Sequence, residues 1–302
     1  MVAGIYAGLL ARPARIEPKY FYDRLGSALF TAICELDEYY PTRVEAGVLA
    51  RSCPAIAATI GRAGALIDLG AGDCRKAARL LPEFAPRMYV PVDISIDFVR
   101  DAAAAIARAH PGLEVLPLGR DFTTDWSLPK EVPSSDRVFF YPGSSIGNFT
   151  PEESAGFLER VRGLCTDGWL LIGVDLVKEA GVLERAYDDA LGVTAAFNRN
   201  VLRHLNRIAA TDFDPQAWRH VALFDPVASR IEMHLESIGA QAVRWPQGER
   251  RFADGERIHT ENSYKYRRER FDALLRESGW TPAGFWTDPD HWFGVFLARA
   301  RP

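Results

Sequence analysis

The stretch Ala65-Leu66-Ile67-Asp68-Leu69-Gly70-Ala71-Gly72-Asp73-Cys74-Arg75-Lys76 constrains this chain more than any other. It reads as a buried strand, a glycine turn and the opening of a helix, the crossover that starts a nucleotide-binding α/β sheet. Gly70 and Gly72 carry no Cβ, so the backbone there admits a ligand at close range. An acid, Asp93, follows about twenty residues later, at the end of the apolar run Tyr89-Val90-Pro91-Val92. In such sheets that strand end lies beside the first, where a carboxylate accepts both hydroxyls of a ribose.

Arg75 stands where the dinucleotide fingerprint has its third glycine, the one that lets helix and strand pack tightly beside a pyrophosphate. NAD and FAD are therefore disfavoured. A D-x-G-x-G turn without that glycine is what S-adenosylmethionine enzymes usually carry. Taken alone, the turn also fits a glycine-rich loop with no ligand.

With 302 residues, 48% of them hydrophobic, the chain suffices for one large domain or two modest ones. A net charge of −4 and the lack of any Lys/Arg block argue against a nucleic-acid partner. Cys34, Cys53, Cys74 and Cys165 form no C-x-x-C pair and do not cluster with histidine. Neither a metal site nor a disulfide framework is expected, and reduced thiols in a cytoplasmic protein fit the pattern. The apolar run Ile5–Leu10 is too short to span a membrane, and no signal peptide or membrane partner is expected.

Residues up to about 17 are expected to form an arm or a first helix, and Leu25, Leu29, Phe30 and Ile33 recur at helical spacing. Pro41 opens a further helix that runs to residue 60. A strand at 65–69, a helix at 74–82, a strand at 88–93, a helix at 97–109 and strands at 113–118 and 137–142 follow. Gly143-Ser144-Ser145-Ile146-Gly147-Asn148 is a second glycine turn at a strand end, and Thr150-Pro151-Glu152-Glu153 announces a helix by its cap, proline and acids. The near-continuous apolar run 169–175 reads as a central parallel strand. This alternation predicts a doubly wound, Rossmann-like α/β sheet.

After Val177 the pattern changes. Helices are expected at 179–190 and 194–209, then antiparallel strands at 218–224, 229–236, 241–246 and 257–266. That block is too long for a crossover and reads as an inserted α+β domain. Helix 267–278 and strands 282–288 and 292–299 then return to the sheet. Tyr20, Phe21, Tyr22, Tyr39 and Tyr40 lie outside the regular apolar stripe, where they either cover core edges or serve a site.

In these blocks the chain closely resembles the L-histidine Nα-methyltransferases of ergothioneine biosynthesis, from about Lys19 to the end. The resemblance rests on eight short motifs in the same order. They are Phe21-Tyr22-Asp23, Glu38-Tyr39-Tyr40-Pro41-Thr42-Arg43, the turn Gly143–Asn148, Asp175-Leu176-Val177-Lys178, Ala186-Tyr187-Asp188-Asp189, Phe197-Asn198-Arg199-Asn200, Ile231-Glu232-Met233 and Thr260-Glu261-Asn262-Ser263. The resemblance implies a class I methyltransferase domain over 50–177 and 267–302 and a substrate-binding domain over 1–49 and 178–266. It also implies three S-adenosylmethionine-dependent methylations of the α-amine of L-histidine, through mono- and dimethyl intermediates, to the betaine hercynine. The methyl donor is a co-substrate, no metal takes part, and the enzyme is expected to be a cytoplasmic monomer.

By the same resemblance Gly70, Gly72 and Lys76 line the donor site, Asp93 takes the ribose, and Asp121 and Phe122 meet the adenine. Tyr22 stands near both methyl donor and amine. Asn148 and Tyr187, with Gly143 beside them, orient the carboxylate and amine of the substrate, and Glu261, Ser263, Met233 and Tyr39 surround its imidazole. Each has a plainer reading when taken alone: Lys76 as a solvated helix lysine, Asn148 as a turn residue, Tyr187 as a helix-surface tyrosine. Glu261 and Ser263 are two apart on an expected strand and share one face, which suits either a grip on two ring nitrogens or solvent. A relative acting on another amino acid such as tryptophan, and a non-catalytic binding protein, are the rival readings. Indole lacks the ring acceptor that an imidazole offers.

Overall fold

The computed structural model describes residues 2–124 and 126–301; the expected domain termini at residues 1 and 302 lie outside them. The chain opens with α1 (Val2–Leu10), the short strand β1 (Ala14–Arg15), α2 (Arg24–Ile33) and α3 (Tyr40–Ile60). Strand–helix alternation follows in β2 (Ala65–Leu69), α4 (Arg75–Ala78), α5 (Leu81–Phe84), β3 (Met88–Asp93), α6 (Ile96–Ala109), β4 (Glu114–Val115), β5 (Leu118–Gly119), β6 (Arg137–Tyr141), α7 (Pro151–Leu164) and β7 (Gly168–Asp175). Next come α8 (Ala180–Tyr187), α9 (Val193–Ala209), β8 (Trp218–Asp225), β9 (Arg230–Ser237), β10 (Gln241–Trp245), β11 (Gly248–Phe252) and β12 (Arg257–Tyr264). The chain ends with α10 (Arg268–Glu277), β13 (Trp280–Thr287) and β14 (Phe293–Ala300).

Two compact units result. The α/β unit comprises Pro41–Val177 and the chain from Lys265 onward; the α+β unit comprises the chain up to Tyr40 and Lys178–Tyr264. The boundary expected at 49/50 falls inside α3, which is one continuous helix and packs Val48, Leu49 and Ile56 into the α/β core. The division therefore comes at its first turn. At the other end, Tyr266 donates its N–H to Asp175 O at 3.0 Å and accepts from Val177 N at 3.1 Å. Those bonds draw residues 265 and 266 into the α/β unit.

In the α/β unit the strand order is β13-β14-β7-β6-β2-β3-β4, with β5 also beside β3. Strands β2, β3, β4, β6 and β7 run parallel, and β14 lies antiparallel to both β7 and β13. Every residue of β2 is buried, as a parallel strand covered on both faces requires. From β2 the chain winds outward through β3 and β4, then returns to β6 on the other side of β2. The carboxyl ends of β2 and β6 thus flank a topological switch point, where ligands of such sheets bind.

Three local expectations are corrected here. The helix expected at 74–82 is split into α4 and α5, with Pro82 in the first turn of α5. The strand expected at 113–118 becomes β4 and β5, because Pro117 has no N–H to give the ladder. Leu25 of the expected apolar stripe is 46% exposed, whereas Ile33 is buried. The capping box of α7 forms as its sequence foretells, with Glu153 N donating to Thr150 Oγ1 and Thr150 N to Glu153 Oε2.

In the α+β unit the main sheet has the order β1-β12-β9-β8, with β12, β9 and β8 antiparallel and β1 added parallel at the edge of β12. Strand β10 does not join it. It pairs with β11, a strand hidden in the charged text Glu249-Arg250-Arg251, in a separate two-stranded ribbon. A bulge between His259 and Glu261 brings Glu261 opposite Met233 and Ser263 opposite Ile231. That face continues onto β8 through Ala222 and His220, which pair with Met233 and Leu235. Helices α8 and α9 pack against β8 and β9.

Candidate active site

In the α/β unit the expected donor-site residues gather at the carboxyl ends of neighbouring strands. Gly70 and Gly72 both have positive φ (+70° and +51°), which glycine alone adopts without strain. A side chain on Gly72 would point into open space, so the turn presents bare backbone to a ligand. Asp93, the last residue of β3, ties two loops together: its Oδ2 accepts from Gly72 N at 3.1 Å and its Oδ1 from Ser95 N at 2.9 Å. The Phe122 ring stands 3.7 Å from where a Cβ on Gly70 would lie, and its edge meets Tyr141. Asp121 caps its own turn by accepting from Thr123 N at 3.0 Å.

Beneath the turn, Asp68 is buried and accepts from Tyr89 Oη at 2.7 Å; burial pushes its carboxyl up to about 7. Lys76 is no free surface lysine. Its Nζ lies 2.7 Å from Glu45 Oε2, and the other oxygen of that carboxylate accepts from Gly143 N at 2.8 Å. One buried side chain thus joins α4, the helix that follows the first glycine turn, to the second turn. Gly143 has φ +79°, and Ser144, also left-handed, accepts from Asp175 N at 2.8 Å through its Oγ. Asn148 ends the short helical turn Ser145–Asn148.

Sequence reasoning missed Glu45. The available signal was an acid at an apolar-stripe position of α3, spaced with Val48, Leu49, Cys53 and Ile56, all of which are buried. Also missed was the wholly buried ion pair of Lys265 with Asp175, 2.8 Å apart, at the end of β7.

In the α+β unit the structure brings Tyr39, Tyr187, Met233, Glu261 and Ser263 together. Tyr187 is buried, which removes its reading as a surface tyrosine, and its hydroxyl lies 2.6 Å from Ser263 Oγ. The rings of Tyr39 and Tyr187 meet edge to face, 6.1 Å apart. Burial drives the Tyr39 phenol well above its ordinary pKa, and the fields of Tyr187, Cys34, Tyr22 and Glu261 add to that rise. Met233 and Glu261, opposite each other across β9 and β12, are both buried. Tyr22 follows the helical turn Pro18–Phe21, with its ring edge against Phe30 and Phe197 at 5.8 and 5.9 Å. Asp189 caps α9 by accepting from Val193 N and Thr194 N.

This strand order, with glycine turns after β2 and β6 and an acid ending β3, defines a Rossmann-like class I methyltransferase sheet, to which the chain adds an antiparallel sheet. The chain belongs to the family of histidine-specific, S-adenosylmethionine-dependent methyltransferases, whose pattern matches residues 1–300. It is 43% identical to the histidine N-alpha-methyltransferase of Mycolicibacterium smegmatis, over 97% of this chain and 93% of that protein. To the histidine N-alpha-methyltransferase of Mycobacterium tuberculosis it is 41% identical, with the same coverage of each chain. Ergothioneine biosynthesis protein 1 of Neurospora crassa is 26% identical over 96% of this chain, which spans 34% of that longer protein. No helix among the described residues is long and apolar enough to cross a membrane.

Proposed function

We propose that this S-adenosylmethionine-dependent methyltransferase methylates the α-amine of L-histidine three times, through the mono- and dimethyl intermediates, to give hercynine for ergothioneine biosynthesis. One observation carries the histidine reading: Glu261, Ser263 and Met233 share one buried face of β12 and β9, with the Tyr187 hydroxyl on Ser263. An imidazole presents one N–H and one lone pair. Glu261 accepts the N–H, while Ser263 accepts a hydrogen bond from the Tyr187 O–H and donates its own O–H to the other nitrogen. Met233 packs against the ring and Tyr39 closes the cluster. An indole offers no ring acceptor for Ser263, so a tryptophan substrate leaves that hydroxyl unanswered.

The donor loops fit S-adenosylmethionine, because the open backbone at Gly72 and the carboxylate of Asp93 leave room and an acceptor beside a ribose. When bound, S-adenosylmethionine supplies an electrophilic methyl group on a sulfonium. Gly70 and Gly72 give close backbone approach, Asp93 accepts from the ribose, Asp121 and Phe122 take the adenine, and Lys76 lies along the site. Gly143 and Asn148 are assigned to the substrate carboxylate and amine, and the Tyr187 hydroxyl, which donates to Ser263, keeps a lone pair for the amine. The amine attacks through its lone pair, so each round requires loss of a proton from an ammonium group, whose counterpart at a peptide N-terminus has a pKa of about 8. Tyr22 is assigned to that amine: its hydroxyl orients the lone pair and its ring face attracts the methylated ammonium. The same reading gives a cytoplasmic monomer.

Mass spectrometry after incubation with S-adenosylmethionine and an equimolar panel of amino acids tests the reading. A gain of three methyl groups on histidine alone is expected. Methylation of another amino acid overturns the imidazole pocket, and donor binding without product overturns the activity.

A further inference from the structure

The motif Phe197-Asn198-Arg199-Asn200 on α9 takes no part in the chemistry above, yet its side chains run to two residues that the chemistry needs. Phe197 stacks on Phe21 with ring centroids 4.7 Å apart, and Asn200 Nδ2 donates to Asp23 Oδ1 at 2.8 Å, so Tyr22 sits between two anchored neighbours. Asn198 leads to the other, Tyr187, through His220. It is fully buried, and its Nδ2 donates to the backbone oxygen of His234 at 3.0 Å and meets His220 Nδ1 at 2.8 Å.

A backbone carbonyl only accepts, so the atom facing it must be the amide nitrogen of Asn198. The second hydrogen of that nitrogen then points at His220 Nδ1, which has to present a lone pair. This fixes His220 as the tautomer protonated at Nε2, and the Nε2–H donates to Tyr187 O at 2.8 Å. The ring is 2% exposed, and burial lowers its pKa below the ordinary value. Of the charged groups facing it, Asp188 (4.0 Å from Nε2 and 60% exposed) and Asp189 favour an imidazolium, and Arg199 opposes one.

We infer that Asn198 and His220 are positioning residues for the amino-acid substrate: the amide locks a neutral imidazole, and the imidazole holds the last residue of α8, keeping the Tyr187 hydroxyl on Ser263. The inference rests on the assignment of Tyr187 and Ser263 to substrate. Protonation of His220 puts a hydrogen on Nδ1 against the Asn198 amide hydrogens. Two donors then oppose each other and the Asn198 bond is lost; Nε2–H still donates to Tyr187 O, but the ring, no longer fixed by the amide, is free to shift and to carry the end of α8 with it. Histidine affinity therefore falls at acid pH by a route that leaves donor binding alone.

The test compares wild type, His220→Leu, His220→Gln and Tyr187→Phe for histidine KM and for calorimetric S-adenosylmethionine Kd, from about pH 5.5 to about pH 8. Glutamine carries an acceptor and a donor in one planar group and does not titrate, so it retains both bonds. His220→Leu is expected to raise histidine KM about tenfold at neutral pH with donor Kd unchanged. His220→Gln is expected to stay within about threefold of wild type there and to lose the acid-side rise in KM that wild type shows. Titration of the substrate's own imidazole is common to all variants and cancels in the ratio. Nitrogen-15 NMR of the ring should show Nε2–H with a bare Nδ1.

A ring protonated at Nδ1, or an acid-side rise that persists unchanged in His220→Gln, overturns the inference even if His220→Leu fails to fold. Tyr187→Phe separates the two ways of failing. No change in histidine KM means that Tyr187 does not serve the substrate, and the positioning role goes with it. A rise in KM for Tyr187→Phe with none for His220→Leu overturns the positioning role alone.

Discussion

In the α/β unit the candidate ligand-binding groups sit at the ends of neighbouring parallel strands, three of them as bare glycine backbone, and within a few residues of the strand that delivers them. Gly70 and Gly72 follow β2, Asp93 ends β3, Asp121 and Phe122 follow β5, and Gly143 follows β6. In the α+β unit the candidate groups are side chains from separate stretches: Tyr22 and Tyr39 before the α/β unit begins, Tyr187 on α8, Met233 on β9, Glu261 and Ser263 on β12. A strand–turn–helix crossover needs only its own residues to shape a loop that takes phosphate- or ribose-like groups. A pocket reading two nitrogens of one ring needs side chains set to a fraction of an ångström, which only register, a bulge and packed helices provide. The donor groups and Gly143 are thus delivered by topology, and the imidazole pocket by tertiary contacts.

The largest expected effect falls on the side-chain half. Glu261→Ala should lower kcat/KM for histidine by about a hundredfold, or about 3 kcal/mol, because a buried imidazole N–H loses a charged acceptor. Steady-state kinetics beside calorimetry of the donor checks it. Equal losses in histidine turnover and donor affinity would break the division between the halves.

A smaller effect is expected at the best-anchored side chain of the topological half. Asp93→Ala frees Gly72 N and Ser95 N and removes the ribose acceptor, so S-adenosylmethionine Kd should rise about thirtyfold, or about 2 kcal/mol. An unchanged Kd would mean that backbone alone holds the donor.

The smallest effect probes the exception to the comparison, Glu45, a distant side chain joining Lys76 of the donor site to the Gly143 turn. A Cβ on Gly173 would overlap Glu45 Oε1 and come within 2.9 Å of Phe293, both rigidly packed. Gly173→Ala should therefore cost about 1.5 kcal/mol of stability, read as a lower Tm, and weaken donor binding only severalfold. A normal Tm would show that the Glu45 clamp yields, and that Lys76 and the Gly143 turn keep their places without it.

The two halves were also unequally legible. The strand at 65–69, the glycine turns and the acid at Asp93 could be read directly, since each is encoded by adjacent residues whose burial follows from hydrophobic run length. Glu261, Ser263 and Met233 were named only through resemblance; nothing in the text of β12 reveals the bulge at Thr260 that sets Glu261 opposite Met233. Strand β11 escaped notice because exposed edges tolerate charge, and Glu45 because an acid inside an apolar stripe resembles noise until its partners, 31 and 98 residues away, are seen.

By itself, then, the sequence determined the doubly wound sheet, the place of its glycine turns and the insertion after Val177, because strand burial, caps and turns are properties of neighbouring residues. Only the tertiary structure decided that α3 belongs to the α/β unit, that one carboxylate joins α4 to the second glycine turn, and that Asn198 faces His220 with its nitrogen. Those facts depend on groups far apart in the chain that desolvate together, where each buried donor must find an acceptor.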